Sequence, residues 1–273
     1  RDWRATSSRS NFSRWSAIFM PLTMPNWAEH ANLYLGPVIP MTRLLCWNIR
    51  HGGGSRTEAI AEAISAHDPD IVVLTEFRHN GFGARLHAHF ANMGLIHHRS
   101  GQAAAPANTV SIASRLPLTP LPRRGDLGAW PHRVVAARCG NIRLTGLYFP
   151  NLKEKLPLLE YMLNLPPAYL KEPALLVGDL NSGKKGLDGP DNFAFFGTPY
   201  IEKLEAQGWT DGFRHFQGDA QEFTWYSHRA NGYRLDHASA SPPMTARLLN
   251  VRYSHRERET GLSDHSILIV DLD

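Results

Sequence analysis

The pattern of apolar and polar positions after residue 40 predicts a strand, a helix and a second strand in succession. Arg43–Asn48 and Ile71–Leu74 are short apolar runs that predict buried strands, and a glycine turn followed by an apolar stripe at helical spacing lies between them. Because such a crossover is right-handed and makes the two strands parallel, we expect Asn48 and Glu76 at the same edge of a sheet.

The rest of the chain is rich in strands and poor in helices, which indicates stacked sheets. Further strands are predicted at Leu95–Arg99, Val110–Ala113, Val134–Arg138, Ile142–Leu147, Ala174–Val177, Phe223–Tyr226, Leu235–Ala238, Ala246–Arg252 and Ser266–Val270. Helices that would cover the outer faces are predicted after a capping box at Ser55 and Glu58, at Gly81–Ala91, at Lys153–Tyr169 with proline interruptions, and at Pro199–Gln207 with Thr198 as its cap.

The first forty residues differ from the remainder, because they are rich in Trp, Ser, Asn and Pro and lack a steady period. We interpret residues 1–40 as an N-terminal extension outside the native domain, with Met41 as a candidate start and an ordered accessory arm as the alternative. Residues 41–273 contain neither an internal repeat nor a low-complexity linker, so one domain is expected there.

Composition and charge exclude several classes of protein. The 273 residues are 42% hydrophobic and 20% charged, which is ordinary for a globular protein. The sequence has no apolar run of roughly 18 residues, the length of a membrane span, and its two cysteines argue against a disulfide scaffold. We therefore expect a cytoplasmic monomer with no membrane partner. The formal charge of +4 permits a polyanionic partner without requiring one.

Polar side chains recur directly beside apolar runs, at the strand ends where binding sites form. The residues in such positions are Asn48, Glu76, Asp179, Asp236, Asp264 and His265. A cluster of carboxylates is unfavourable unless a cation neutralises it. Oxygen ligands without cysteine or multi-histidine spacing favour Mg²⁺ or Mn²⁺ over zinc, so the predicted cofactor is one of these two ions.

The order and spacing of the motifs resemble those of a known family. The segments are Trp47-Asn48-Ile49, Leu74-Thr75-Glu76, Tyr148-Phe149-Pro150-Asn151, Gly178-Asp179-Leu180-Asn181, Arg234-Leu235-Asp236 and Ser263-Asp264-His265. Over residues 43–271 the chain resembles the endonuclease/exonuclease/phosphatase superfamily. Within it, Thr224-Trp225-Tyr226 precedes the segment Gly232–Asp236 at a distance similar to that in the exonuclease III and AP endonuclease branch. The resemblance implies a four-layer α/β/β/α sandwich of two stacked mixed sheets flanked by helices.

The resemblance also implies roles at the rim of this sandwich, beginning with the metal. Glu76 would be the direct ligand of Mg²⁺ or Mn²⁺, and Asp264 would assist it. Asn48 would orient a ligand water or contact the phosphate. The activity implied is a divalent-metal-dependent phosphodiesterase that hydrolyses nucleic acid, with DNA as the expected partner and substrate.

The implied catalytic residues follow from the same motifs. Asp179, aided by Asn181, would position or deprotonate the attacking water, and His265, paired with Asp236, would contact a phosphate oxygen or share the role of base. The choice between Asp179 and His265 as proton acceptor stays open. Tyr148 would donate to the phosphate or stabilise the leaving oxyanion, and its alternative interpretation is an ordinary aromatic at a strand end.

Four further residues are predicted to bind the substrate. Arg133 opens a strand and would bind phosphate unless it is only a solvated charge. Trp225 is interpreted either as a core aromatic or as a stacking partner for sugar or base. Asn151 is included because it belongs to the same motif as Tyr148. Arg50 departs from the pattern of AP endonucleases, which have an acid there, so it would contact phosphate, pair with the acidic rim, or be a plain surface charge.

Two rival functions remain, and one charge pattern bears on them. Several basic residues flank the motifs, and they would either surround the acidic site or scatter over the surface: Lys184, Lys185, Arg229, Arg234, Arg256 and Arg258. The first rival is a phosphatase or phosphodiesterase of the same fold for small phosphorylated or lipid-headgroup substrates. The second is a scaffold that has lost turnover.

Overall fold

A computed structural model describes residues 41–273 apart from residue 124, so the predictions for residues 1–40 lie outside the described residues. Two six-stranded mixed sheets stack on each other. The first contains β1 (Thr42–Asn48), β2 (Ile71–Phe77), β3 (His97–Ser100), β4 (Thr109–Ser114), β13 (Leu248–Ser254) and β14 (Ile267–Leu272), in the spatial order β13-β14-β1-β2-β4-β3.

The second sheet contains β5 (Leu118–Pro120), β6 (Val134–Cys139), β7 (Ile142–Tyr148), β8 (Ala174–Asp179), β9 (Thr210–Asp211) and β12 (Asp236–Ala240), in the order β5-β6-β7-β8-β12-β9. A short ribbon pairs β10 (Trp225–Tyr226) with β11 (Gly232–Tyr233). Each six-stranded sheet has one parallel pair at its centre, β1 with β2 and β7 with β8. Four predicted site residues lie at the carboxyl ends of these strands, namely Asn48, Glu76, Tyr148 and Asp179.

The helices are α1 (Thr57–Ala66), α2 (Gly81–Asn92), α3 (Leu156–Leu163), α4 (Ala168–Lys171), α5 (Thr198–Ala206), α6 (Gly212–Gln217), α7 (Pro242–Thr245) and α8 (Arg256–Glu259). Short 3₁₀ turns occupy Gly54–Arg56, Pro131–Arg133 and Leu152–Lys155. Within residues 41–273, none of these helices has the length and apolar character needed to cross a membrane.

Alternation of side chains along the strands divides the apolar residues among three cores. In β1, Leu44 and Cys46 pack between the two sheets, whereas Leu45 and Trp47 pack on the opposite face with residues of α1 and α2. A third core lies between the second sheet and helices α3 and α5. The predicted four-layer α/β/β/α sandwich is thereby confirmed.

Several predicted element boundaries are wrong. The Ser55 capping box does not form, because Ser55 lies in a 3₁₀ turn and α1 begins at Thr57 with no side-chain cap. Thr198 is the first residue of α5 rather than its cap, and its hydroxyl donates to the carbonyl of Gly183 at 2.8 Å. The helix predicted at Lys153–Tyr169 is a 3₁₀ turn and two separate helices.

Strands β3, β10 and β13 each begin two residues later than predicted, and β10 starts at Trp225 instead of Phe223. For β3 and β13 the reason lies in the preceding segment. The backbone of Leu95 donates to Phe90 at the end of α2, so β3 starts only at His97. The prolines before Ala246 form α7, so β13 starts at Leu248. Strands β5, β9 and β11, of two or three residues, are too short to show a period of two, and they were not predicted.

A buried ionic cluster beside β9 and the start of β12 is built around Arg234. Its guanidinium is fully buried and binds Asp188 at 2.7 Å and Asp211 at 2.6 Å. Burial would raise the pKa of both acids, but the charge of Arg234 holds the pKa of each below its usual range. The suggestion that Arg234 helps to surround the acidic site with positive charge is therefore wrong.

Replacing Arg234 with methionine should destabilise the fold by about 3–5 kcal/mol, because two buried carboxylates would lose their counter-ion. The matched control is Arg85→Met, which breaks a pair with Glu58 whose side chains are both half exposed and should cost less than about 1 kcal/mol. Urea denaturation of the two variants measures the difference. Equal losses would contradict the importance assigned to the buried cluster.

Candidate active site

A bulge at the end of β2 sets the position of Glu76. Pairing with β4 is regular as far as Leu74 and resumes at Phe77, with a register shift between them. Glu76 adopts a φ of 54°, a left-handed conformation that is rare for residues with a Cβ and that clusters at functional sites. Bulges commonly re-aim a side chain, and here the carboxylate points into an open cavity.

The Glu76 carboxylate is surrounded by hydrogen-bond donors. Oε1 accepts from Asn48 Nδ2 and from the Tyr148 hydroxyl, both at 3.2 Å. Oε2 accepts from the His51 backbone N–H at 2.7 Å and from Asn108 Nδ2 at 3.0 Å. These contacts come from three segments, namely the end of β1 with the turn after it, the loop before β4 and the end of β7, so the carboxylate has one defined orientation.

Asn48 links the two sheets at the rim. It is buried at the end of β1, and its Nδ2 also donates to Asp179 Oδ2 at 2.9 Å. The backbone N–H of Arg50 donates to Asn48 Oδ1 at 2.9 Å, which fixes the amide orientation. One amide group therefore holds Glu76 of the first sheet and Asp179 of the second.

Asp179 ends β8 in a tightly packed loop. A Cβ at the preceding Gly178 would lie 1.8 Å from the Leu147 carbonyl oxygen, so only glycine fits there. Asp179 Oδ1 accepts from the Asn181 backbone N–H at 2.9 Å, and Asn181 Nδ2 donates to the Phe149 carbonyl at 2.8 Å. Burial raises the pKa of Asp179 to about 6, although His265 acts in the opposite direction.

The ring of His265 lies between two buried acids. Nδ1 is 2.9 Å from Asp236 Oδ2, and Nε2 is 3.9 Å from Asp179 Oδ2. Burial alone would lower the pKa of His265, but the charges of Asp236 and Asp179 raise it to about 10. The ligand atoms of these three residues lie within 4.8 Å of one another, so this group is also compact enough to hold an ion.

The rim opens into a cavity of about 800 Å³. Eight predicted site residues line it: Glu76, Tyr148, Asn151, Asp179, Asn181, Trp225, Asp264 and His265. Trp225 is half buried, and its indole Nε1 donates to Asp264 Oδ2 at 3.3 Å, which supports neither of its two interpretations over the other. The six motifs of the sequence thus converge on one site.

Comparison with known proteins identifies the family. Residues 45–265 match the model of the Endonuclease/Exonuclease/phosphatase family. This chain belongs to that family. No curated protein sequence matches it.

Solved structures share the fold of this family member. An AP endonuclease from Archaeoglobus fulgidus is 20% identical with a TM-score of 0.72, and the match covers 85% of this chain and 99% of that one. A 3′ phosphatase from Neisseria bound to product DNA hairpin is 23% identical with a TM-score of 0.71 and the same coverage. A 3′-5′ exonuclease from Neisseria meningitidis is 22% identical with a TM-score of 0.69, covering 85% and 100%.

Two predicted substrate residues lie beside the main cavity of this family member. The Arg133 guanidinium packs between the rings of Trp130 and Tyr148, 4.3 and 4.4 Å from their centroids. It lines an adjoining cavity of about 270 Å³, which shares Tyr148 and Asn151 with the first. Arg50 is exposed next to the rim, and within the described part of the chain its side chain forms no ion pair.

Three residues at the site were not predicted from the sequence. Asn108 and His51 contact Glu76 from loops, where no apolar period marks their positions. Lys155 is almost fully buried, lines the main cavity and donates to the Leu180 carbonyl at 3.4 Å and to the Asn181 carbonyl. Burial lowers the pKa of Lys155 to about 8, with Asp179 opposing the shift. Lys155 lies in the charged run Lys153-Glu154-Lys155, and nothing in that run indicates which of the three side chains is buried.

Replacing Asp236 with asparagine should lower the pKa of His265 by about 1–3 pH units, because the anion at 2.9 Å is removed while the ring keeps a hydrogen-bond partner. Titration of the metal-free protein, followed by NMR of the histidine rings, measures the change. Glu222→Gln, which neutralises the acid 2.8 Å from His255, is the matched control and should leave the pKa of His265 unchanged. An unaltered pKa in Asp236→Asn would contradict the electrostatic account.

Proposed function

We propose that this chain hydrolyses phosphodiester bonds of DNA with the help of one divalent cation. The observation that carries the proposal is the convergence of Glu76, Asp179 and the Asp236–His265 pair at the mouth of one open cavity. Acids and a histidine in contact with each other and accessible to a substrate are the groups that general acid–base chemistry needs.

The residues at the rim fit a bound Mg²⁺ or Mn²⁺. Asn48 donates to two carboxylates at once, and the buried Asp236 Oδ1 has no hydrogen-bond partner, so the site carries uncompensated negative charge. The ligand atoms would be carboxylate oxygens, which suit these hard ions. Glu76 and Asp264 would hold the ion and Asn48 would orient one of its waters, since the Asn48 amide oxygen accepts from Arg50 and His265 is already engaged by Asp236 and Asp179. When bound, the ion offsets charge that develops on the phosphate.

Within the proposed reaction, Asp179 accepts the proton of the attacking water. Its Oδ1 is held by the Asn181 backbone and its pKa is raised to about 6, so it is a base suited to neutral pH. The water oxygen bonds to phosphorus, the opposite phosphorus–oxygen bond breaks, and the departing oxygen leaves with the electron pair. His265, positively charged at neutral pH because its pKa is raised to about 10, stabilises a non-bridging oxygen.

The remaining residues receive supporting roles in this proposal. Tyr148 donates a hydrogen bond to the leaving oxygen or to phosphate, since its hydroxyl already points to the rim. Arg133 and Asn151 bind the DNA strand next to the cleaved bond, because both residues line the smaller cavity, which adjoins the larger one. Arg50 contacts a neighbouring phosphate from its exposed position.

Two observations support DNA as the substrate. The cavity is large, and Phe193, Trp225 and Tyr233 give it an aromatic wall, with the rings of Phe193 and Tyr233 5.1 Å apart. Aromatic faces accept bases of any sequence. Solved proteins of similar fold include an AP endonuclease, a 3′-5′ exonuclease and a 3′ phosphatase bound to product DNA hairpin.

Glu76→Gln and His265→Ala should each lower the rate of DNA hydrolysis by at least about 100-fold, because the first removes the charge that would hold the ion and the second removes the positive charge beside the non-bridging oxygen. Both variants should remain folded, since both side chains line the cavity. Glu58→Gln, an exposed acid on α1, is the matched control and should keep the full rate. Steady-state cleavage of a labelled duplex, with circular dichroism for folding, measures the effect. Wild-type rates in either site variant would refute the assignment.

A substrate panel with and without EDTA tests the substrate class. We expect cleavage of plain or abasic duplex DNA that stops when EDTA removes the ion, because the phosphate charge is then no longer offset. RNA, a 3′-phosphorylated oligonucleotide, sphingomyelin and inositol phosphates complete the panel. Hydrolysis of the small substrates alone would replace the nuclease proposal with the rival phosphatase. Absence of any EDTA-sensitive hydrolysis would favour the inactive scaffold.

A further inference from the structure

The turn after β1 holds a histidine against the predicted metal ligand. Arg50 and His51 have φ angles of 52° and 55°, so two successive residues with side chains adopt the left-handed conformation that normally favours glycine. This turn places the His51 backbone N–H 2.7 Å and the ring Nδ1 3.0 Å from Glu76 Oε2. Strained backbone of this kind persists where the surroundings fix it, and it is frequent at ligand sites.

The contact of the ring with Glu76 involves two electron-rich atoms. Arg78 reaches His51 Nδ1 with its guanidinium at 3.3 Å, and a guanidinium only donates, so this contact requires the tautomer with the proton on Nε2 and Nδ1 as acceptor. In that tautomer Nδ1 and Glu76 Oε2 present lone pairs to the same region, 3.0 Å apart. Such a pair is stabilised by a cation between the two atoms. Arg78 is also bound to Asn108 Oδ1 at 2.6 Å, so it stays anchored if it releases the ring.

The spacing and exposure of the two atoms suit a metal ion. Ligand atoms at right angles on an octahedral ion, each about 2.1 Å from it, lie about 3 Å apart. The His51 side chain is 65% exposed, so an ion reaches it from solvent without rearrangement of the core. Its neighbour Arg50 is a cation and provides no ligand.

We propose that His51 supplies an imidazole nitrogen to the divalent ion bound by Glu76, and that this ligand makes the site prefer Mn²⁺ over Mg²⁺. The inference rests on the proposed function, and it deepens it by choosing between the two ions. Mg²⁺ favours oxygen ligands and gives up its waters reluctantly, whereas imidazole binds first-row transition ions more readily. A mixed set of nitrogen and oxygen ligands therefore discriminates between them.

The other imidazole of the cavity is already engaged. His265 Nδ1 binds Asp236 at 2.9 Å, and its Nε2 faces Asp179 at 3.9 Å. Both of its nitrogens are thus directed at carboxylates of the catalytic group rather than at Glu76. A nitrogen ligand detected on the bound ion is accordingly assigned by removing His51.

Pulsed EPR of the full chain loaded with Mn²⁺ tests the ligand directly, because a coordinated imidazole nitrogen couples to the unpaired electrons. We expect the coupling in the wild type and its loss in His51→Ala. Calorimetric titration with each ion should show Mn²⁺ affinity reduced by about 10-fold or more in His51→Ala and Mg²⁺ affinity changed by less than about 3-fold. His51→Asp should instead bind Mg²⁺ more tightly than His51→Ala does.

The matched control is His255→Ala, which removes a histidine that also contacts a glutamate, Glu222, at 2.8 Å and should leave the coupling and both affinities unchanged. Retained nitrogen coupling with unchanged Mn²⁺ affinity in His51→Ala would overturn the proposal. A wild type that binds Mg²⁺ as tightly as Mn²⁺, or that binds no Mn²⁺, would overturn it as well. Failure of the proposed function appears separately, as a lack of EDTA-sensitive hydrolysis in the wild type, which these binding measurements do not use.

Discussion

The arrangement of the rim depends on the His265 imidazole, which lies between the carboxylates of Asp236 and Asp179. Its positive charge offsets the negative charges of these two acids. The two acids end or begin adjacent strands of the second sheet and are paired across β8 and β12. Without a positive group between them, the two buried carboxylates would repel each other, and the pKa of one of them would rise until it took up a proton. The histidine comes from the loop before β14, so the same contact also ties the first sheet to the second.

Asn48 makes the corresponding link through hydrogen bonds instead of charge. Its side-chain amide donates to Glu76 of the first sheet and to Asp179 of the second. The Ser263 hydroxyl donates to the main-chain carbonyl of Asn48 at 2.6 Å. The stacked sheets therefore meet at the rim through polar contacts, while apolar packing joins them elsewhere. At Gly146 an added Cβ would meet Val110 at 2.8 Å and Val73 at 3.0 Å, which shows how closely the sheets approach.

Much of the fold and site could be predicted from the sequence because strand ends are visible in it. Asn48, Glu76 and Asp179 each follow an apolar run, and parallel strands bring such ends together. His51 and Asn108 were missed because left-handed turns and loops follow no period. Arg234 was misplaced because its nearness to Asp236 in sequence does not tell which partners, here Asp188 and Asp211, meet its guanidinium.

The bulge in β2 lets this strand pack in the core and also direct Glu76 into the cavity. Leu74 and Phe77 both pack in the core beneath α1 and α2 although they are three residues apart, a spacing that a regular strand with a period of two does not allow. In a strand shortened by one residue both side chains would still pack in that core, but the Glu76 carboxylate would no longer be directed into the cavity. The bulge thus turns the Glu76 side chain toward the cavity while Leu74 and Phe77 stay in the same core.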